Sequence, residues 1–559
     1  MILTALSAVT NVLFWLYALI VFIVVLGVII LIHEGGHFFF AKKANMLVHE
    51  FSIGMGPVIA HKKKGETTYS IRAIPVGGFC AIAGEDNNEE LLKKDAIIKL
   101  NFKKTNSKEL YLEGSEETLV DEELEVVSEI ITDEKLDGSV VGKVVSYDLY
   151  SRDGKAMYIE LEVAGEIKKY YVARDAFYVF SAKERMQLSP YDRCSESKTK
   201  WQQFLTIFAG PFMNFVLAFF IFIIVGLASG VPNTNSTVIG EVTSYYPASE
   251  KLQAGDKILS VNGDKVNTWI EFSTYLSEHN GEEQFTLVVE RDGQEITETI
   301  STVIISYRLG VANFDSVNNK LYTPVAKGLQ VGMVFSDDYV VGKAGIKNGD
   351  ILLAYYDHND LLHELSSWKQ LIDYLDSDSN MSSLKLQYSH DGEVKEVVTS
   401  VWTERSLKEL NVASASKTAI GVSCKSHFSF FGGLKNACLL FWNSISTVFM
   451  TLAALFSNKQ ITINDLSGPV GIFQAVKTYL GTDIITFLSF VGLISANIGL
   501  VNLLPIPALD GGRILFIVIE AITGKKINKK VENTLNNIVF ILVMILFFYI
   551  TVKDIIRLF

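Results

Sequence analysis

His33, Glu34 and His37 fall within His33-Glu34-Gly35-Gly36-His37, at the end of a stretch with no charged residue from Met1 to Leu31. On a helix, residues four apart share a face. Both imidazoles can therefore offer nitrogen to a single Zn2+, while Glu34 stands beside them as a general base. A carboxylate or basic side chain at the centre of a membrane helix costs roughly 2.5–3.5 kcal/mol, less near an end, and such residues mark function by default. The motif and its place predict a metallopeptidase centre inside a membrane. A catalytic zinc takes three protein ligands, of which this helix supplies two. Asp510 is the candidate third, in Asn502-Leu503-Leu504-Pro505-Ile506-Pro507-Ala508-Leu509-Asp510-Gly511-Gly512. The prolines stop a helix and the glycines permit turns that return the carboxylate to the metal. Taken alone, Pro-Ile-Pro followed by Asp-Gly-Gly is also ordinary turn chemistry.

Segments that could position these residues follow from hydropathy. Of 559 residues, 49% are apolar and 20% charged, and mean hydropathy is +0.27, so charge must be segregated into parts outside a bilayer. The net charge of −12 argues against a nucleic-acid partner. Cys80, Cys194, Cys424 and Cys438 are too scattered for a disulfide framework or a CxxC zinc site. The apolar N-terminal stretch lacks a basic flank and a cleavage-like site, which favours a retained span over 10–41 rather than a leader. Lys42, Lys43, Lys62, Lys63, Lys64 and Arg72 follow it, placing the histidine end in the cytoplasm. Further spans are expected over 204–228, 484–504 and 536–552. Residues 434–457 are interrupted by Lys435, Asn436, Asn443, Ser444 and Ser446. If they crossed, Asp510 would emerge on the face opposite His33 and His37, so they are expected to form an amphipathic helix in the interface. The basic loop Gly511 to Glu532 fits a cytoplasmic position.

Together the HEGGH motif, the Leu509-Asp510-Gly511 motif, Gly210-Pro211 with Asn214, and Leu466-Ser467-Gly468-Pro469-Val470-Gly471 resemble the site-2 protease family, in its regulator of sigma-E protease branch. The resemblance covers about residues 10–84 and 198–552. It implies intramembrane proteolysis of single-span proteins or signal-peptide remnants in the lipid bilayer, with His33, His37 and Asp510 as zinc ligands and Glu34 as catalyst. It also implies that Asn497 and Asn502 help hold substrate; helix-to-helix hydrogen bonding is the alternative for both.

Residues 254–263, Ala-Gly-Asp-Lys-Ile-Leu-Ser-Val-Asn-Gly, resemble the core of a PDZ domain, and 342–353 restate it. Two tandem extracytoplasmic PDZ-like domains are expected, over 235–325 and 326–425, either binding peptide at a sheet edge or acting as a steric filter. Thr67 to Phe79 reads as a strand and glycine turn within the segment 42–84; the resemblance implies a membrane-associated segment whose edge strand could hold an unwound substrate by main-chain pairing, and a plain cytoplasmic hairpin is the alternative. Glu85 to Lys135 holds sixteen acidic and seven basic residues and opens a β-rich cytoplasmic insertion, 85–198, with β-like runs at Ser139–Leu149, Met157–Val163 and Ile167–Phe180. The expected fold is thus a multi-pass α-helical membrane protein of about four transmembrane helices carrying these domains. Two other classes remain open: a PDZ-bearing scaffold with a vestigial metal site, and a metal transporter.

Overall fold

A computed structural model describes the chain except for residues 1, 85–91, 107–109, 111–122, 134, 183, 245, 316–319, 323–324, 326, 336–339, 410–411, 413, 458–466 and 557–559. Seven helices of twelve or more residues run among the described residues: α1 (Ile2–Lys43), α2 (Lys200–Ser229), α3 (Phe430–Ser457), α4 (Pro469–Leu480), α5 (Ile484–Asn502), α6 (Asp510–Thr523) and α7 (Lys529–Ile556). Packing divides the chain into two units, Met1–Phe220 with Ile472–Tyr549, and Ile221–Gly471 with Ile550–Phe559.

Five of these helices are long and apolar enough to cross a membrane: α1 from Val12, α2, α3 as far as Ala453, α5 and α7. The sequence led us to expect four, with α3 at the interface. Among the five, α3 is the least apolar, at a mean hydropathy of 1.3 against 2.1 or more elsewhere. Three of its hydroxyls are nevertheless satisfied within the helix: Ser444 Oγ donates to the Leu440 carbonyl, Thr447 Oγ1 to that of Asn443 and Thr451 Oγ1 to that of Thr447, each at 2.8 Å. Such bonds remove much of the cost of polar residues in an apolar setting. Hydropathy alone therefore admits this helix as a span.

In the first unit, α1 is followed by a long antiparallel hairpin, β1 (Val48–Lys64) and β2 (Thr67–Ile82). The sequence suggested only a short strand here. Instead β2 bends and pairs with β1 twice: Phe51 faces both Tyr69 and Cys80, and Ser52 faces both Ser70 and Phe79. The start of β1 is thus a central strand, and Gly78–Ile82 forms an outer one. Gly77, at φ 94, sits at the bend, where only glycine is comfortable. Ser70 and Arg72 both reach the Glu50 carboxylate across the hairpin.

The acidic stretch contributes strands of its own. Parts of it are strands β3 (Ile97–Asn106) and β4 (Glu123–Ile131), joined by β5 (Val140–Asp148), β6 (Tyr158–Val163), β7 (Glu166–Ser181) and β8 (Glu184–Gln187) in one sheet. A parallel pairing of β4 with β7 closes five of the six strands into a ring. Apolar pairs explain how so acidic a segment joins a core: Val126 with Val127 and Ile130 with Ile131 are buried on both faces of β4, while Glu123, Glu125 and Glu129 stay outside or partly so. Most of 85–91 and 107–122 lies outside the described residues.

The last two helices of the first unit are tied to its other parts by polar contacts. Lys200 on α2 pairs with Glu520 on α6, and Lys529 at the start of α7 reaches Glu196 at 2.9 Å. Asp510 opens α6 and Gly524, at φ 66, ends it, so much of the loop expected over 511–532 is helical. α7 also begins seven residues before the span expected over 536–552.

In the second unit the same local plan occurs twice. A strand at Lys257–Val261, a helix at Trp269–Glu278 and a hairpin at Gln284–Arg291 and Gln294–Ser301 match a strand at Ile351–Tyr356, a helix at Trp368–Asp376 and a hairpin at Ser383–His390 and Glu393–Ser400. Even the buried aspartates correspond. Asp256 accepts from Gln253 N and from Arg291; Asp350 accepts from Lys347 N and from His390 Nδ1, at 2.7 Å. The pairings do not follow a linear division at 325/326. Ser416–Ala419 pairs with Val303–Ser306, Val422–Cys424 pairs with Ile239–Val242, and Ile420 shares a core with Ile239, Ile258 and Phe285. The second repeat is inserted into the first. Of the Leu466–Gly471 motif, Leu466 lies outside the described residues; Gly468 and Gly471 donate their N–H groups to Asp554 Oδ2 at 2.7 and 2.9 Å.

Candidate metal centre

Three ligand-type residues meet in the first unit. His33 Nε2 lies 3.1 Å and His37 Nε2 3.4 Å from Asp510 Oδ2, and the two imidazole nitrogens are 3.3 Å apart. Ligands about 2.0–2.2 Å from a tetrahedral zinc stand roughly 3.3–3.5 Å from one another, so the triangle matches the spacing such an ion requires. Among the described residues this is the one group of three such side chains close enough to share an ion. Both histidines are buried.

Their orientation comes from α2. On the turn before Pro211, His37 Nδ1 donates to the Thr206 carbonyl at 2.8 Å, which leaves Nε2 with its lone pair toward Asp510. His33 Nδ1 faces the fully buried Asn214 amide at 3.2 Å. The amide's Oδ1 has no partner among the described residues. Amide oxygen and nitrogen are distinguished only by their partners, and a metal-binding His33 carries its proton on Nδ1; turned over, the amide offers Oδ1 to that proton. An orphaned buried acceptor beside a histidine is therefore accounted for by metal-ready imidazoles.

Close helix approach requires two glycines. A Cβ on Gly36 would overlap the Ala209 carbonyl, and one on Gly210 would overlap His37 Nε2 itself. Asp510 arrives from the other side, after α5 ends and the Pro505–Pro507 loop turns the chain.

A cavity of about 580 Å³ opens over the three ligands. Glu34 lines it, as do all five residues of the outer strand, Gly78–Ile82, and Arg513, Asn536, Asn537 and Phe540. Asn497 and Asn502 are not among its lining residues. Both lie on α5, where the Asn497 side-chain oxygen is buried without a partner among the described residues. Sequence reasoning missed Arg513, Asn536 and Asn537. A polar pair next to the apolar run of α7 was the available signal for the two asparagines.

Known proteins resemble this chain over most of its length. The model of peptidase family M50 matches residues 21–546. The regulator of sigma-W protease RasP of Bacillus subtilis is 29% identical over 543 residues, covering 97% of this chain and 98% of its own. The zinc metalloprotease RasP of Bacillus licheniformis is 29% identical over 541 residues, with 97% and 99% coverage, and the probable protease eep of Enterococcus faecalis is 29% identical over 551 residues, again with 97% and 99%. A solved PDZ domain of an SdrC-like protein from Listeria monocytogenes aligns at 19% identity over 12% of this chain and 72% of that one, with a TM-score of 0.12. The chain belongs to peptidase family M50, the site-2 proteases. It is a membrane protein and a zinc metalloprotease acting by intramembrane proteolysis.

Proposed function

We propose that His33, His37 and Asp510 hold the zinc ion and that Glu34 moves the proton during hydrolysis of a peptide bond in a membrane-spanning segment. The observation that carries this is the 3.1–3.4 Å triangle of ligand atoms with Glu34 on the same cavity wall. Zinc supplies Lewis-acid polarisation of the scissile carbonyl and lowers the pKa of water toward about 7. Glu34 accepts the proton from the attacking water and hands it to the leaving amine. Thr206 and Asn214 keep the imidazoles aimed.

A helical substrate hides its peptide groups in its own hydrogen bonds, so it must be unwound before cleavage. Gly78–Ile82 pairs with β1 along one edge and lines the cavity, a placement suited to holding an extended substrate by strand addition. The substrates we propose are single-span membrane proteins, such as anti-sigma factors, or signal-peptide remnants. The repeated modules would be PDZ-like domains outside the cytoplasm, acting as peptide contacts or as a steric filter, and the β3–β8 ring would lie in the cytoplasm with the catalytic site. This orientation follows from the basic residues after α1. It also assigns α3 to the outer interface: α4, at twelve residues, is too short to return the chain across a bilayer, and α5 must bring Asp510 to the same side as His33. Asn497 and Asn502 remain proposed substrate contacts, reached on binding rather than through the cavity as it stands.

Glu34→Gln should retain one zinc per chain and lower cleavage of a single-span peptide in reconstituted vesicles by at least about 100-fold. Asp510→Asn should instead lose zinc. Normal processing by Glu34→Gln would remove that residue from the chemistry, and an undiminished metal content in Asp510→Asn would remove Asp510 from the ligand set.

A further inference from the structure

We infer that Asn536 is a positioning residue: its side-chain oxygen fixes the loop that delivers Asp510 to the two histidines. This rests on the metal-site reading above and extends it to α7, which supplies none of the three ligands.

Two residues before Asp510, Ala508 adopts φ 74. That left-handed conformation is unfavourable for a residue bearing a Cβ and persists only where surrounding contacts hold it. Neighbouring N–H groups bond within the loop, Ile506 to the Leu504 carbonyl at 2.7 Å and Leu509 to the Ile506 carbonyl at 3.1 Å. The Ala508 N–H instead leaves the loop and donates to Asn536 Oδ1 on α7, at 3.1 Å. Asn536 also lines the cavity over His33, His37 and Asp510.

The opposite side of the loop is equally constrained. A Cβ on Gly511 would overlap the Leu503 and Leu504 carbonyls, and one on Gly512 would overlap the Ile506 carbonyl. The loop is therefore held between the first turn of α6 and one amide of α7. If Ala508 relaxed to negative φ, the peptide planes that lead into Asp510 would turn, and its carboxylate would leave the 3.1 and 3.4 Å positions it occupies. One amide of a helix of membrane-spanning length thus has a specific task, to stabilise a strained backbone close to a ligand.

The test is zinc retention by the purified full-length protein in detergent, measured by competition with a chelating indicator, alongside cleavage of a single-span peptide. Asn536→Ala should hold zinc about ten-fold more weakly, as outer partners of metal ligands commonly do. Asn536→Asp keeps an oxygen in place for the Ala508 N–H and should bind zinc at least as tightly as the wild type. Ala508→Gly, which takes positive φ without strain, should restore much of the retention lost in Asn536→Ala. Wild-type zinc retention in Asn536→Ala, with His33→Ala emptied of metal, overturns the positioning role and leaves the metal site standing. Weak binding by Asn536→Asp equal to that of Asn536→Ala overturns it as well. Zinc absent from the wild type and His33→Ala alike overturns the metal reading, and this inference with it.

Discussion

Gly210 shows how much of the metal site depends on a side chain that is missing. Its Cβ position overlaps His37 Nε2, the atom facing Asp510, and no rotation of a methyl group relieves that overlap. Gly210→Ala should therefore deplete bound zinc and cut cleavage by at least about ten-fold, while Gly27→Ala, with open space around its Cβ, should alter neither. Metal analysis of the two purified variants checks this. At this scale the sequence was informative where chemistry is carried by residue type: spacing and charge singled out His33, Glu34, His37 and Asp510 as candidates, and the fold brings His33, His37 and Asp510 together. Thr206 was not, because its contribution is a main-chain carbonyl that any residue possesses.

Among the elements, the outer strand Gly78–Ile82 makes the sharpest claim. N–H groups along a strand alternate between its two edges. A proline scan across positions 78–82 should thus alternate in effect. Where the N–H faces the cavity, cleavage should fall with the fold and zinc content intact; where it pairs with β1, the hairpin itself should be destabilised. Cleavage and zinc content measured for each variant would show the alternation, and a uniform response along the strand would argue against substrate pairing there. The doubling of β1's partners was hidden in the sequence, since alternation of apolar residues reports burial of a face but not which strand lies at each edge. For α3 the opposite holds. Its polar residues are visible in sequence, yet the hydroxyls of Ser444, Thr447 and Thr451 are answered within the helix, which composition does not report.

At the scale of the whole molecule, the inserted repeat predicts which pieces fold. A fragment covering 231–427 includes Ser416–Ala419 and Val422–Cys424 and should fold cooperatively, whereas one ending at 325 lacks two strands and a core residue, Ile420, and should not. Circular dichroism with thermal unfolding distinguishes them. The Arg291 guanidinium beside buried Asp256 holds that carboxyl below the ordinary carboxylate range. A depressed pKa means stability that is fully present above the unfolded value, about 3.9, and is lost as pH falls through the folded one. Urea unfolding of the 231–427 fragment should show this loss below about pH 4, and Arg291→Met should destabilise it by about 1–3 kcal/mol at neutral pH and flatten the acid limb.

Sequence by itself determined the candidate catalytic residue types, the apolar segments and the presence of a repeat, because each is written in local pattern: a four-residue spacing, a run of apolar side chains, a recurring Gly-Asp turn. Tertiary structure alone decided which strand closes which module, which edge of the hairpin faces the metal cavity, and why Gly210, Asn214 and Asn536 stand where they do. Those are contacts between residues tens to hundreds of positions apart. Their partners are set by packing rather than by any pattern along the chain.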